Sequence, residues 1–176
     1  MIDFSQDYFA LFGLPPRYRF DLGGLEAAYR ALQSEVHPDR FATAHEVERR
    51  LALQSSARVN EAYRALKDPI GRAQHLLSLR GIDVFSETET DLPLDFLERQ
   101  LERREAVAEA KARRDTLHLE ALLAEARADT AALESELGDR LDETQDFNAA
   151  RTVLRELRFL HKVIADIELA LGDLEE

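Results

Sequence analysis

The stretch Val36-His37-Pro38-Asp39-Arg40-Phe41 decides how this 176-residue chain is read. It holds the only His-Pro-Asp triplet in the sequence and lies between two helical patterns. Proline has no amide hydrogen and disfavours a helical residue before it, so a helix arriving from the N-terminal side ends here. An imidazole and a carboxylate then bracket a rigid bend. Such a tip is either an ordinary interhelical turn or a contact device, and the flanking sequence decides between them.

Upstream, Leu22, Leu25, Ala28, Tyr29, Leu32 and Val36 recur at three- and four-residue steps, which predicts an amphipathic helix over about 22–36. Asp21 is its N-cap and Phe20 a hydrophobic staple. Downstream the chain stays polar until His45. Leu51, Ser55, Val59, Ala62 and Leu66 then mark a helix over about 46–66, with Tyr63 alongside. Two helices joined by a short polar loop make an antiparallel hairpin, with the triplet at its exposed tip. Tyr8, Phe9, Leu11 and Phe12 suit a short preceding helix, stopped by Gly13-Leu14-Pro15-Pro16. Asp68 and Pro69 open a helix carrying Ala73, Leu76 and Leu77, which Gly81 ends.

Residues 81–92 are a boundary, because Ser86-Glu87-Thr88-Glu89-Thr90-Asp91 has no apolar periodicity. Residues 93–176 then divide into three helical segments. The first runs from about Pro93 to Arg113. The second carries Leu119, Leu122, Ala126, Thr130, Leu133 and Leu137, and Gly138-Asp139 is expected to break it. The third carries Ala150, Val153, Leu157, Leu160, Ile164, Ile167, Leu171 and Leu174 at alternating steps of three and four. That spacing predicts an antiparallel three-helix bundle. No strand pattern occurs, so the fold class is all-α, with a domain at 1–80, a linker at 81–92 and a bundle at 93–176.

Composition narrows the function. The chain is 45% hydrophobic and 33% charged, with net charge −12, which suits a globular helical protein. Residues 1–80 hold 11 Lys and Arg against 10 Asp and Glu; residues 81–176 hold 12 against 25. An acidic half of this kind argues against general nucleic-acid binding and for either a basic partner or a solvated helix surface. With no cysteine, disulfides, thiolate metal sites and thiol catalysis are excluded. Met1-Ile2-Asp3-Phe4-Ser5-Gln6-Asp7 carries no signal or spanning pattern, so a soluble cytoplasmic protein without a membrane partner is expected. The five histidines form no H-x-x-x-H or H-E-x-x-H pattern, and no P-loop, nucleophile elbow or dinucleotide loop is present. Neither a metal, a cofactor nor a catalytic group is expected.

Three motifs now stand in order: Ala28-Tyr29-Arg30-Ala31-Leu32, the His37-Pro38-Asp39 tip, and Val59-Asn60-Glu61-Ala62-Tyr63-Arg64-Ala65-Leu66-Lys67-Asp68-Pro69. Together they resemble the J-domain over about residues 4–80. The resemblance implies docking onto the ATPase domain of a DnaK-class chaperone through His37, Pro38 and Asp39, with Arg30 and Arg40 adding rim charge. In one respect the chain departs from that pattern. J-domains often have a strongly basic second helix, whereas Arg30 is the sole basic residue of 22–36.

A narrower resemblance spans the whole chain. Leu11-Phe12-Gly13-Leu14-Pro15, Asp68-Pro69-Ile70-Gly71-Arg72-Ala73-Gln74-His75-Leu76-Leu77, Phe96-Leu97, Gln100-Leu101-Glu102-Arg103-Arg104-Glu105 and Leu157-Arg158-Phe159-Leu160 look like the HscB family. This implies a J-domain joined to a three-helix bundle that delivers an IscU-type iron–sulfur scaffold to the HscA chaperone. The implied scaffold contacts are Leu97, Leu101, Glu102, Glu105 and Phe159. Periodicity alone leaves Leu97 and Leu101 open: with Leu94 and Ala108 they form one stripe, while Phe96, Val107 and Ala110 form a competing inner one. Phe159 lies off the apolar stripe of its helix. Glu98 stands where relatives often have an apolar residue, which implies a smaller patch here. The alternative is a general J-protein whose bundle holds another client or self-associates.

Overall fold

The computed structural model describes residues 2–84 and 92–175. The helices are α1 (Tyr8–Leu11), α2 (Leu22–Val36), α3 (Glu46–Lys67), α4 (Pro69–Ser78), α5 (Leu94–Arg113), α6 (Thr116–Gly138) and α7 (Phe147–Glu175), with a short 3-10 turn at Pro38–Phe41. Among the described residues there is no strand. The contacts divide into two compact units, Met1–Ile82 and Asp83–Glu176. Most of the expected linker, residues 85–91, lies outside the described residues. Val84, at its near end, is buried, and its carbonyl accepts from Arg155 Nε at 2.8 Å.

In the first unit, α2 and α3 form the hairpin, and α1 and α4 pack around it. Leu25 and Val36 from α2 meet Ala52, Ser55, Val59, Ala62 and Leu66 from α3 in the buried set. Leu22, expected on the inner stripe, is exposed. It occupies the first helical position, where the chain has just entered from a loop and the face has yet to turn inward. Asp21 caps α2 by accepting the Gly23 N–H at 2.9 Å.

The corner between α3 and α4 explains Asp68-Pro69-Ile70-Gly71-Arg72. Asp68 Oδ2 accepts the Gly71 N–H at 2.7 Å, and Pro69 occupies the first turn, where no amide donor is needed. A Cβ on Gly71 would lie 2.8 Å from the Ala65 carbonyl oxygen. The buried Arg72 guanidinium donates to the carbonyls of Leu66, Tyr18 and Lys67 and lies over the rings of Tyr18 and Phe20. One side chain thus ties the end of α3 to the loop before α2.

In the second unit, α6 and α7 pair along their lengths. Leu119, Leu122, Leu123, Ala126, Ile167 and Ala170 form a shared core that Ala110 of α5 completes. Arg114 and Asp115 make the turn from α5 to α6, Arg114 in left-handed backbone at φ 54° and Asp115 capping α6 through the His118 N–H. The expected break at Gly138-Asp139 does not occur. Gly138 is buried in right-handed helical backbone, and the helix passes into one π-helical turn at Asp139–Glu143 that also buries Leu141. The chain reverses later, where Gln145 takes φ 54°. Glycine ends a helix when it adopts the left-handed conformation; Gly138 keeps right-handed helical backbone at φ −61° and so continues the helix.

His75 of α4 joins the core to α1. Its ring stacks on Tyr8 at 4.2 Å, and its Nε2 accepts the Tyr8 backbone N–H at 3.1 Å. Burial holds this imidazole below its ordinary value of 6.5. The folded chain therefore binds that proton less tightly than the unfolded one. His75 gives its full stabilisation above pH 6.5 and loses it as pH falls from there towards the folded value. In urea titrations, the stability advantage of the chain over His75→Gln should narrow steadily between about pH 7.5 and 5.5. A constant difference would contradict this assignment. Gly71→Ala should cost about 1–3 kcal/mol in the same assay, because the backbone must move to admit the methyl group.

Candidate functional site

The stacked rings of Tyr29 and Tyr63, 4.0 Å apart and 17° from parallel, join α2 to α3. The Tyr29 hydroxyl donates to Asn60 Oδ1 at 2.8 Å, and the Gln33 amide donates to both the Tyr29 oxygen and Asn60 Oδ1. The tyrosine of the first motif and the asparagine and tyrosine of the third are therefore hairpin clamps. They hold the tip without being part of it.

The tip follows from Pro38. His37 leaves helical backbone at φ −58° and ψ 128°, as the residue before a proline should. Its Nδ1 accepts the Asp39 backbone N–H at 3.3 Å. In the neutral ring this places the proton on Nε2 as a donor. Asp39 Oδ2 is 3.5 Å from the same Nδ1, beyond good hydrogen-bond range for a nitrogen already accepting an amide. The Asp39 side chain is 90% exposed, so its carboxylate remains open to an incoming donor. The tip thus offers an acceptor suited to a guanidinium, beside an imidazole, on a backbone that proline has already restricted.

Arg40 folds back, donating from Nη1 to the Ser34 carbonyl at 3.0 Å. It thereby satisfies one of the carbonyls left over at the end of α2 while its charge favours that terminus. Arg30 stays exposed, with Nη2 3.6 Å from Glu26. Glu26 also faces Lys67 Nζ of α3 at 3.7 Å. Lys67 is absent from the sequence-based set, because only the register of the hairpin brings it beside α2. It supplies positive charge that α2 itself lacks.

The second surface lies on α5. Phe96 and Ala110 point inward, 3% and 2% exposed, with Val107 partly buried against the same core. This is the inner stripe. Leu97 and Leu101 point outward, 40% and 59% exposed, and Leu94 is exposed one turn before them. Residues four apart share a helix face, so Leu97, Leu101 and the exposed Glu105 form one row with Glu102 beside it. Phe159 of α7 is 37% exposed and packs edge-on against Phe96, with ring centroids 5.7 Å apart. An aromatic from a second helix therefore borders the leucine row. Three residues before Phe159 on α7, Glu156 is half-buried, and burial, then the Glu136 charge, raises its carboxyl above the ordinary value.

Among the described residues no group of three or more His, Cys, Asp and Glu side chains could hold a metal ion. No helix among them is long and apolar enough to cross a membrane.

A histidine–proline–aspartate tip on a clamped helical hairpin, in a chain that continues into a helical bundle, defines a J-protein. Known proteins narrow the class. Residues 92–168 match the family described as the HSCB C-terminal oligomerisation domain. The co-chaperone protein HscB homolog of Azoarcus sp. is 45% identical over 174 residues, 99% of this chain and 98% of that one. That of Burkholderia multivorans is 43% identical over 175 residues, 99% of each. Among solved structures, chaperone HscB from Vibrio cholerae has a TM-score of 0.84 and 36% identity, covering 96% of this chain and 99% of that one. Human co-chaperone HscB has a TM-score of 0.89 and 28% identity, covering 96% and 83%. The chain belongs to the HscB family, the J-protein co-chaperones of iron–sulfur cluster assembly.

The two faces of α5 should respond differently to truncation. Leu101→Ala removes an exposed side chain and should change stability by less than about 0.5 kcal/mol. Phe96→Ala empties a core position and should cost about 3–5 kcal/mol. Urea denaturation of the two variants measures both, and equal losses would contradict the inner and outer assignment.

Proposed function

We propose that this chain is an adaptor between an HscA- or DnaK-class chaperone and an IscU-type iron–sulfur scaffold in the cytoplasm. The observation that carries this reading is the exposed Asp39 carboxylate beside His37 on a proline-restricted tip. A partner arginine would pair with Asp39, and His37 would supply a second hydrogen bond. Because Pro38 and the turn already restrict the backbone, little conformational entropy is lost on docking. Arg30, Arg40 and Lys67 would act mainly through the rate of encounter, as exposed rim charges do.

The scaffold would be held by Leu97, Leu101, Glu102, Glu105 and Phe159. Covering a leucine gains about 1.5–3 kcal/mol, so two exposed leucines and a half-exposed phenylalanine favour a partner with an apolar face. Holding client and chaperone on one chain makes the second encounter intramolecular and raises its effective concentration. The chain would perform no hydrolysis itself; docking of the tip would accelerate ATP turnover by the chaperone.

His37→Gln and Asp39→Asn should each abolish stimulation of the chaperone ATPase, with unfolding midpoints unchanged. Stimulation at the original rate by either folded variant would sink the assignment. Replacing Leu97, Leu101 and Phe159 together by alanine should weaken scaffold binding by at least about a hundredfold, taking roughly 1 kcal/mol for each lost apolar contact. Leu97→Ala and Leu101→Ala should leave thermal stability nearly unchanged, whereas Phe159→Ala should lower it because that ring packs on Phe96; titration calorimetry reads the affinity directly.

The family model over residues 92–168 is described as an oligomerisation domain, which favours a second reading in which the bundle meets another copy. Sedimentation of the chain alone, and of a mixture with the scaffold, separates the two. A concentration-dependent dimer that the alanine replacements dissolve would favour self-association.

A further inference from the structure

The second unit has twice as many acidic as basic residues, so each cation there should find a partner. Most do. Arg103 pairs with Asp129, Lys111 with Asp173, Arg127 with Glu168 and Arg140 with Glu136, joining helices or successive turns. Arg99 and Arg113 pair with carboxylates one turn away on α5. Arg114, at the turn from α5 to α6, donates to the Leu174 carbonyl. Arg104 of α5 and Lys162 of α7 take part in no ion pair among the described residues. Both are exposed, and both line one groove between α5 and α7.

The groove has a volume of about 280 Å³, with a floor of Val107, Phe159, Val163 and Ile167. Asp166 also lines it and stands one helical turn beyond Lys162, so its lining charge is two cations against one carboxylate. Phe159 belongs both to this floor and to the border of the leucine row. The groove is therefore continuous with the surface assigned to the scaffold, and its charge is opposite to that of Glu105, at the end of that row, and of Glu102 beside it.

We propose that this groove is a second half of the scaffold-binding surface. It takes an apolar side chain of the scaffold next to an acidic one, whose carboxylate is held between Arg104 and Lys162. This rests on the adaptor reading above and adds to it a partner chemistry: an acidic, apolar segment, beside the surface that meets the leucines. Two cations left unpaired amid excess carboxylates are complementary to an anion from outside the chain. Arginine on one wall gives planar, two-point recognition of a carboxylate, and lysine on the other a compact charge.

The test uses the full chain and a metal-free IscU-type scaffold protein in titration calorimetry at two salt concentrations. Arg104→Glu with Lys162→Glu should weaken binding by about tenfold or more and flatten its salt dependence. Thermal stability should be unchanged, because both side chains are exposed. Arg104→Lys should keep most of the affinity. If the charge reversal binds like the parent while the Leu97, Leu101 and Phe159 replacements fail, the groove assignment is overturned and the adaptor reading stands. If the parent does not bind the scaffold, both fall. If the reversal instead abolishes a dimer of the chain seen by sedimentation, the groove belongs to a second copy and the proposal is overturned.

Discussion

Tyr29 and Tyr63 lie face to face, and the hairpin depends on that stack together with the polar clamp of Gln33 and Asn60. Much of the α2–α3 seam is built from small residues. Ala52, Ser55 and Ala62 bury little area, so aromatic stacking and hydrogen bonds supply what aliphatic packing does not. The clamp also fixes register. A slip of α2 by one residue would part the rings and leave the half-buried amide of Asn60 without its donors. Since α2 must end at Val36, fixing its register also fixes where His37 and Asp39 emerge.

A comparable constraint shapes the bundle. A helix of twenty residues, such as α5, can turn one stripe towards the pair formed by α6 and α7. Phe96, Val107 and Ala110 take that stripe, with the buried Gln100 among them. Gln100 accepts from Arg103 at 2.8 Å, and Arg103 in turn pairs with Asp129. A polar anchor thus sits at the centre of an otherwise apolar seam and sets the rotation of α5. With that rotation set, Leu94, Leu97 and Leu101 cannot also be buried within the unit. Their exposure follows from the packing of their neighbours.

Much of this was legible in the residues. Periodicity located α2, α3 and α5 to within a residue or so, and marked the buried stripes of α6 and α7, because the apolar face of each is buried on one side only. The caps at Asp21 and Asp68 were legible because a short carboxylate before a helical run has few other uses. Periodicity alone could not choose between the two stripes of α5, since both contain apolar residues at helical spacing. What decides is the larger buried area of Phe96 and the contact it makes with Phe159. The continuation of α6 through Gly138 was hidden, because a glycine's role depends on its backbone conformation and on what packs against it. The fold-back of Arg40 onto Ser34 and the approach of Lys67 to Glu26 were also hidden. Each depends on the position of another turn or helix.

The charges across the bundle impose a further condition on any partner. An excess of carboxylates attracts a basic protein from a distance, and that attraction sets the rate of encounter more than the final affinity. Discrimination comes from close range, where an unpaired or mismatched charge is costly. A uniformly basic partner would meet Glu102 and Glu105 favourably, but would place like charge against Arg104 and Lys162. A uniformly acidic one would be repelled before it arrived. If the leucine row and the groove form one docking surface, as proposed, that surface favours a partner carrying charge of both signs on either side of an apolar contact.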